Sequence, residues 1–221
     1  DVPLELLVGY LISETCVYLI TILVARKVFS LDVREAFLLG LATALTNHIL
    51  FILPISEILI GKSATLPMVA IISMDGMLIL SGAMIAMDIM TAKDQGWRST
   101  AVKIATNPPI LGMIAGLIYG LSGLSMAPNV GIFISNISST ASPVLLFALG
   151  VILSAKQEEI IVSLSNLIVA VKLILHPIIA YFILSILFVL AVDLAKPAVM
   201  VEATPCGVMS FMLALNYGVN V

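Results

Sequence analysis

Two apolar spans, 36–60 and 197–219, each carry polar residues and a proline near the middle, and no other feature of this chain restricts its fold as strongly. The first reads TNHILFILP from Thr46 to Pro54, the second ATPCGVMSF from Ala203 to Phe211. In bilayer hydrocarbon a broken helix frees N–H and C=O groups that lipid cannot satisfy. Such breaks persist only where protein or a water-filled cavity covers them. Two of them at corresponding places in two halves of a chain point to a transporter binding site.

Composition makes the bilayer the relevant solvent. Hydrophobic residues are 61% of the chain and charged ones 10%, and the mean hydropathy is +1.21, outside soluble globular usage. A net charge of -3, with nine of the ten Lys and Arg scattered between spans, argues against a nucleic-acid partner, and none is expected. Cys16 and Cys206 both fall in apolar spans and read as small buried hydrophobes rather than a disulfide or metal pair. No metal or other cofactor is expected. The chain opens DVPLELLVGY, without Met or a basic leader, and ends at Val221 directly after a span, so it reads as the central piece of a longer protein.

Stretches of about 20 apolar residues fall near 4–25, 36–60, 66–90, 104–125, 130–154, 161–191 and 197–219. Arg26, Lys27, Arg34, Lys93, Arg98, Lys103 and Lys156 lie on one side of these seven spans, Lys62 and Lys196 on the other. Positive charge marks the first side as cytoplasmic. The visible chain then begins outside and ends inside, with Trp97 in a cytoplasmic loop. A seven-helix receptor or sensory protein has the same orientation, so repeat structure must discriminate. The segments SLDVREAFLLGLATALTNHILFILP and AVDLAKPAVMVEATPCGVMSFMLAL share an order of features: a short charged linker with Leu31-Asp32 or Asp193-Leu194, then a span interrupted by polar residues. Five spans is an odd number, so a repeat of that size must be inverted in the membrane.

These residues carry a family resemblance. The run ATPCGVMSFMLALNYGVNV resembles the Ala-x-Pro-x-Gly segment and following Tyr of the auxin efflux carrier (PIN-like) family. Asn107-Pro108 is similar to that family's Asn-Pro span start, Ser138 to Ser154 to its small-residue, Pro, Leu-Phe-Ala-Leu-Gly helix, and Lys172 with Pro177 to its Lys-x-x-x-x-Pro helix. The resemblance implies an all-α integral membrane protein of ten helices in two inverted five-helix repeats, with broken, crossing fourth and ninth helices. On that register residues 1–90 hold helices three to five of the first repeat, and 91–221 helices six to nine of the second. It further implies a multi-pass protein of the bacterial inner membrane, a transporter rather than an enzyme. The substrates would be small organic anions, auxin-like monocarboxylates or dicarboxylates such as malate and malonate, moved by elevator-type alternating access. One departure stands out. The family pattern Asn-x-Gly-x-x-Gly-x-Pro keeps Asn47 and Pro54 here, but Ile49 and Ile52 replace the glycines, so the first crossing is expected tighter to helix or shifted toward Asn47-His48.

Candidate substrate-binding residues are Asn47, His48 and Pro54 at the first break and Pro205, Cys206 and Gly207 at the second. A break at Pro205 to Gly207 would offer a helix N-terminus to a carboxylate without any charged side chain. Asp75, Glu202 and Lys172 are the ion-coupling candidates for H⁺ or Na⁺, because ionisable groups inside a membrane are functional hypotheses by default. A structural alternative pairs Asp75 with Lys172. Glu14 is a further acidic residue inside a span, and His176 beside Pro177 is expected to satisfy freed backbone groups. The eleven methionines fit adaptable packing. Gly112, Gly116 and Gly120, at four-residue spacing, admit close helix packing or a homodimer. Neither an HExxH pair nor a Ser, His and Asp grouping is present.

Overall fold

A computed structural model describes residues 2–60, 65–91, 98, 101–102, 105–106, 108–155 and 162–219. The helices are α1 (Leu4–Lys27), α2 (Val33–Ala44), α3 (Leu53–Leu59), α4 (Thr65–Met74), α5 (Ser81–Thr91), α6 (Pro108–Leu121), α7 (Pro128–Ala155), α8 (Val162–Ala170), α9 (His176–Tyr181), α10 (Val192–Glu202) and α11 (Met209–Tyr217). Wider π-helical turns at His48–Ile52, Asp75–Leu80, Val171–Leu175 and Phe182–Leu187 join several of them. Among the described residues there is no β-strand, and the fold is that of an all-α membrane protein. Three continuous helical runs, Leu4–Lys27, Leu66–Thr91 and Val162–Leu187, are long and apolar enough to cross a bilayer. Lys62, Lys93, Trp97, Lys103, Asn107 and Lys156, used above for orientation and family likeness, lie outside the described residues.

Burial along α1 shows how such a helix is read. Leu4, Val8, Ile12, Leu19 and Leu23 are exposed on one stripe, whereas Leu6, Tyr10, Ser13, Glu14, Val17, Thr21 and Ala25 are buried on the opposite one. Apart from Thr15 the outward stripe is apolar between the helix ends, and the inward one carries most of the polar groups, the inverse of a soluble amphipathic helix, as lipid demands. α2 packs across α1 where Gly40 permits it: a Cβ there would come within 2.9 Å of Tyr18 and Ile22 side chains. Asp32 begins α2 with a capping box, accepting from the Arg34 N–H while Glu35 accepts from the Asp32 N–H. That N–H bond holds the Asp32 carboxyl below its usual range, so its stabilising effect is present at neutral pH and fades as the pH falls through the lowered value. Asp32→Ala is expected to cost about 1 kcal/mol, read as a lower unfolding temperature in detergent, with uptake unchanged.

The linkers entering α2 and α10 are built alike. Ser30 and Val189 both take left-handed backbone (φ 54° and 49°) two residues before the N-caps Asp32 and Ala191. In each case the next N–H, from Leu31 or Leu190, reaches back to the preceding helix, at Ala25 O or Leu184 O. A β-branched residue such as Val189 is a rare occupant of that region.

Two apolar clusters frame the interior. Leu6, Tyr10, Met68, Ile71, Ala180, Leu184, Ala198 and Val201 form one, and Leu38, Leu41, Leu45, Ala83, Met84, Met87, Leu213 and Ala214 the other. Along α1, the third span, the sixth span and α10, the buried ionisable residues fall just beyond the first cluster or between the two. Glu14 is about 15 Å along the roughly 36 Å of α1, near the middle of that helix. Most described residues of α6 and α7 are exposed, and Cβ atoms at Gly112, Gly116 and Gly120 would meet nothing within 4 Å.

Candidate functional site

Both interrupted spans break, and the breaks meet. α2 ends at Ala44, Leu45 turns extended (ψ 134°), and Thr46 forms an isolated antiparallel bridge with Cys206. The Asn47 N–H donates to Pro205 O at 3.1 Å, and the Gly207 N–H donates to Leu45 O at 3.1 Å. Each break thus supplies the partners that the other has lost, which answers the demand that no backbone group be left bare in lipid. Gly207 is there for proximity. A Cβ at this position would sit 2.9 Å from Thr46 O, against backbone that cannot move aside.

The first break lies at Leu45 to Asn47, at the Asn47-His48 end of the family pattern. Ile49 and Ile52 fall in the π-turn that follows. Pro54 stands in the first turn of α3, and its side chain is outside the described residues. The Gly207 N–H is used inside the crossing, contrary to its expected role as an anion donor, because pairing two broken backbones takes precedence. Any helix N-terminus offered here belongs to the first turn of α11, after Val208.

Beneath the crossing lies a buried polar cluster drawn from five spans. Lys172, 1% exposed, donates to Ala44 O at 3.1 Å and to Thr46 Oγ1 at 2.8 Å. A cation is thereby held against the C-terminal carbonyl of α2, where the helix dipole favours it. Its Nζ also lies 3.1 Å from His176 Nδ1. An ammonium can only donate, so Nδ1 accepts and the imidazole carries its proton on Nε2. His176 Nε2 in turn is 3.0 Å from Glu202 Oε2, which also accepts from Ser13 Oγ. Asp75 Oδ2 accepts from Tyr10 Oη at 3.0 Å and lies 3.0 Å from His48 Nε2. The structure therefore pairs Asp75 with His48 and Tyr10 rather than with Lys172. His176 lies between Lys172 and Glu202 and also bonds to the Thr43 backbone at the open end of α2, the freed-backbone role expected of it.

Three of these residues sit in π-turns: His48 and Asp75 at the first position of theirs, Lys172 at the second. Pro54 and Pro177 follow two of the turns. A proline removes an N–H and its ring pushes against the carbonyl four residues earlier, which opens the helix there. π-turns re-aim side chains and recur at functional sites. The spacing to each proline is the available sequence signal; no proline follows the turn at Asp75–Leu80 within that distance. With Glu14 beside Asp75 the cluster contains three carboxyl groups, and among the described residues no group of three or more His, Cys, Asp or Glu is placed to hold a metal ion.

Two comparisons with known proteins bear on this geometry. A family model described as "Membrane transport protein" matches residues 4–221. The chain is also 31% identical over 121 residues to the Rhizobium meliloti (strain 1021) protein named "Putative malonate transporter", a match covering 54% of this chain and 37% of that relative. The matched region thus spans little more than a third of the relative's length. With a family match running through both crossing spans and nearly the whole chain, this protein belongs to the membrane transport protein family of auxin efflux carriers.

Proposed function

We propose that this protein is a secondary carrier of small organic anions, either auxin-like monocarboxylates or dicarboxylates such as malate and malonate. It would work as a multi-pass protein of the bacterial inner membrane, built of inverted repeats and alternating by an elevator motion. The observation that carries this reading is the meeting of two broken helices, hydrogen-bonded at Asn47 to Pro205 and Gly207 to Leu45. Such crossings place irregular backbone, helix ends and a fixed cation where a substrate carboxylate can be met inside the membrane. The matching linkers before α2 and α10 support the repeat. The relative named for malonate supports the dicarboxylate class. The buried cluster holding Asp75, Glu202 and Lys172 is where coupling to H⁺ or Na⁺ would act, and no catalytic step is assigned.

The test is uptake of radiolabelled malonate, malate and indole acetate into proteoliposomes holding the full-length protein. Saturable uptake of at least one anion is expected. Asn47→Ala and Pro205→Ala should each abolish it while membrane insertion is retained, since both keep the main-chain hydrogen bonds of the crossing and remove only the side-chain amide and the ring that stand at the proposed substrate site. Unchanged uptake by both variants would sink the crossing as the substrate site.

A further inference from the structure

Glu14 is the one carboxyl of the described cluster that has neither an imidazole nor a hydroxyl against it. It is 1% exposed, and what lies against it is another carboxyl, that of Asp75, so its oxygens find a hydrogen bond only when one of the two acids carries a proton. By contrast Asp75 has Tyr10 and His48, and Glu202 has Ser13 and His176. Glu14 also lines a cavity of about 300 Å³, within the size range of small-molecule sites. The rest of that wall is largely apolar, with Tyr18, Phe37, Leu41 and Leu78 among its residues, and it extends to Ala44, whose carbonyl Lys172 holds. The cavity therefore abuts the crossing.

An ionised carboxylate in such a wall has nothing to repay its lost hydration. A hard metal cation would need several oxygen ligands around it, and the only side-chain oxygens of the cavity wall besides Glu14 are those of Thr15 and Tyr18. A proton needs none. The charged groups facing Glu14 are Asp75 from the third span, Lys172 from the sixth and Glu202 from α10. Tyr10 lies one turn earlier on α1 and Tyr18 one turn later, and the α2 residues of the wall are not titratable. Two carboxylates and one ammonium leave no positive charge spare for a third carboxylate. An anion arriving at the crossing would add a further negative charge, and like charges disfavour each other's ionised forms.

From these observations we infer that Glu14 is the proton-binding residue of the carrier: it must be protonated for the organic anion to enter, so each anion moves with a proton. The inference rests on the carrier reading above and narrows its coupling ion to H⁺. By linkage, anion binding and proton binding at Glu14 strengthen each other to the same degree.

Glu14→Gln, which keeps shape and removes the titration, is expected to abolish accumulation of radiolabelled malonate driven by an inward proton gradient in proteoliposomes of the full-length protein. Counterflow exchange of malonate should persist at a measurable rate, and its dependence on external pH should flatten. Glu14→Asp should restore gradient-driven accumulation, and a sodium gradient should drive none in wild type. Accumulation by Glu14→Gln with the wild-type pH profile would overturn the inference, as would accumulation driven by sodium alone. A second readout needs no substrate: the infrared difference between wild type and Glu14→Gln should contain a protonated carboxyl band near neutral pH. Its absence overturns the inference whatever the uptake result, whereas a missing uptake signal in wild type with the band present counts against malonate as the anion.

Discussion

Gly207→Ala is expected to reduce uptake more than about tenfold and to destabilise the detergent-solubilised protein by about 3 kcal/mol, the sum of overpacking and of buried hydrogen bonds left unmade. The methyl group would stand 2.9 Å from Thr46 O, so the two breaks must separate. Separation then strands four backbone groups: the N–H of Asn47 and of Gly207, and the carbonyls of Pro205 and Leu45. Ordinary helix propensity predicts the opposite sign, since alanine is the better helix former. Gly120→Ala supplies the comparison, because a Cβ there meets nothing within 4 Å and should leave both uptake and unfolding near wild type. Equal behaviour of the two variants would show that the close approach at Gly207 is not what holds the crossing.

Lys172→Met is expected to cost about 3–5 kcal/mol, the usual penalty for removing one member of a buried charged group, and to eliminate uptake. The side chain is 1% exposed and serves three acceptors at 2.8 to 3.1 Å. Its loss leaves Ala44 O at the open end of α2 without its cation, and leaves buried carboxyl groups without their only lysine. Lys172→Arg should not rescue function, since the planar guanidinium is larger and cannot donate along the same three directions. Thermal unfolding and uptake check both variants. A Met variant as stable as wild type would mean that the ammonium is held by the fold without holding it.

How far the sequence discloses this arrangement depends on whether a residue's role is local. Span positions follow from hydropathy alone, and the breaks at Thr46-Asn47 and Pro205-Gly207 follow from polar residues and prolines inside apolar stretches. Their mutual pairing follows from the physics of unsatisfied backbone, without any pairing motif. Partners are a different matter. Asp75 meets Tyr10 across 65 positions and Ser13 meets Glu202 across 189, and no periodicity within either span encodes who faces whom. The pairing of Asp75 with Lys172 was reasonable on charge and fails on geometry, because Lys172 is drawn to the end of α2. Glu14 was visible only as one acidic residue in an apolar run. Its significance comes from the partners it lacks and the cavity it lines, both properties of the packed bundle. The left-handed turn at Val189 was equally hidden, since the sequence offers no glycine there.

The central claim is that the organic anion binds at the crossing of the two broken helices. Cys206 stands in the bridge itself and is partly exposed, while Cys16 is a second, partly exposed free thiol away from it. The most direct measurement is the rate of alkylation of Cys206 in the full-length protein in membranes, followed by mass spectrometry, with Cys16 as the internal reference. Malonate is expected to slow Cys206 labelling in a saturable way and to leave Cys16 unchanged. Saturable malonate uptake with the Cys206 rate unaffected at saturating malonate would contradict it and move the substrate away from the crossing.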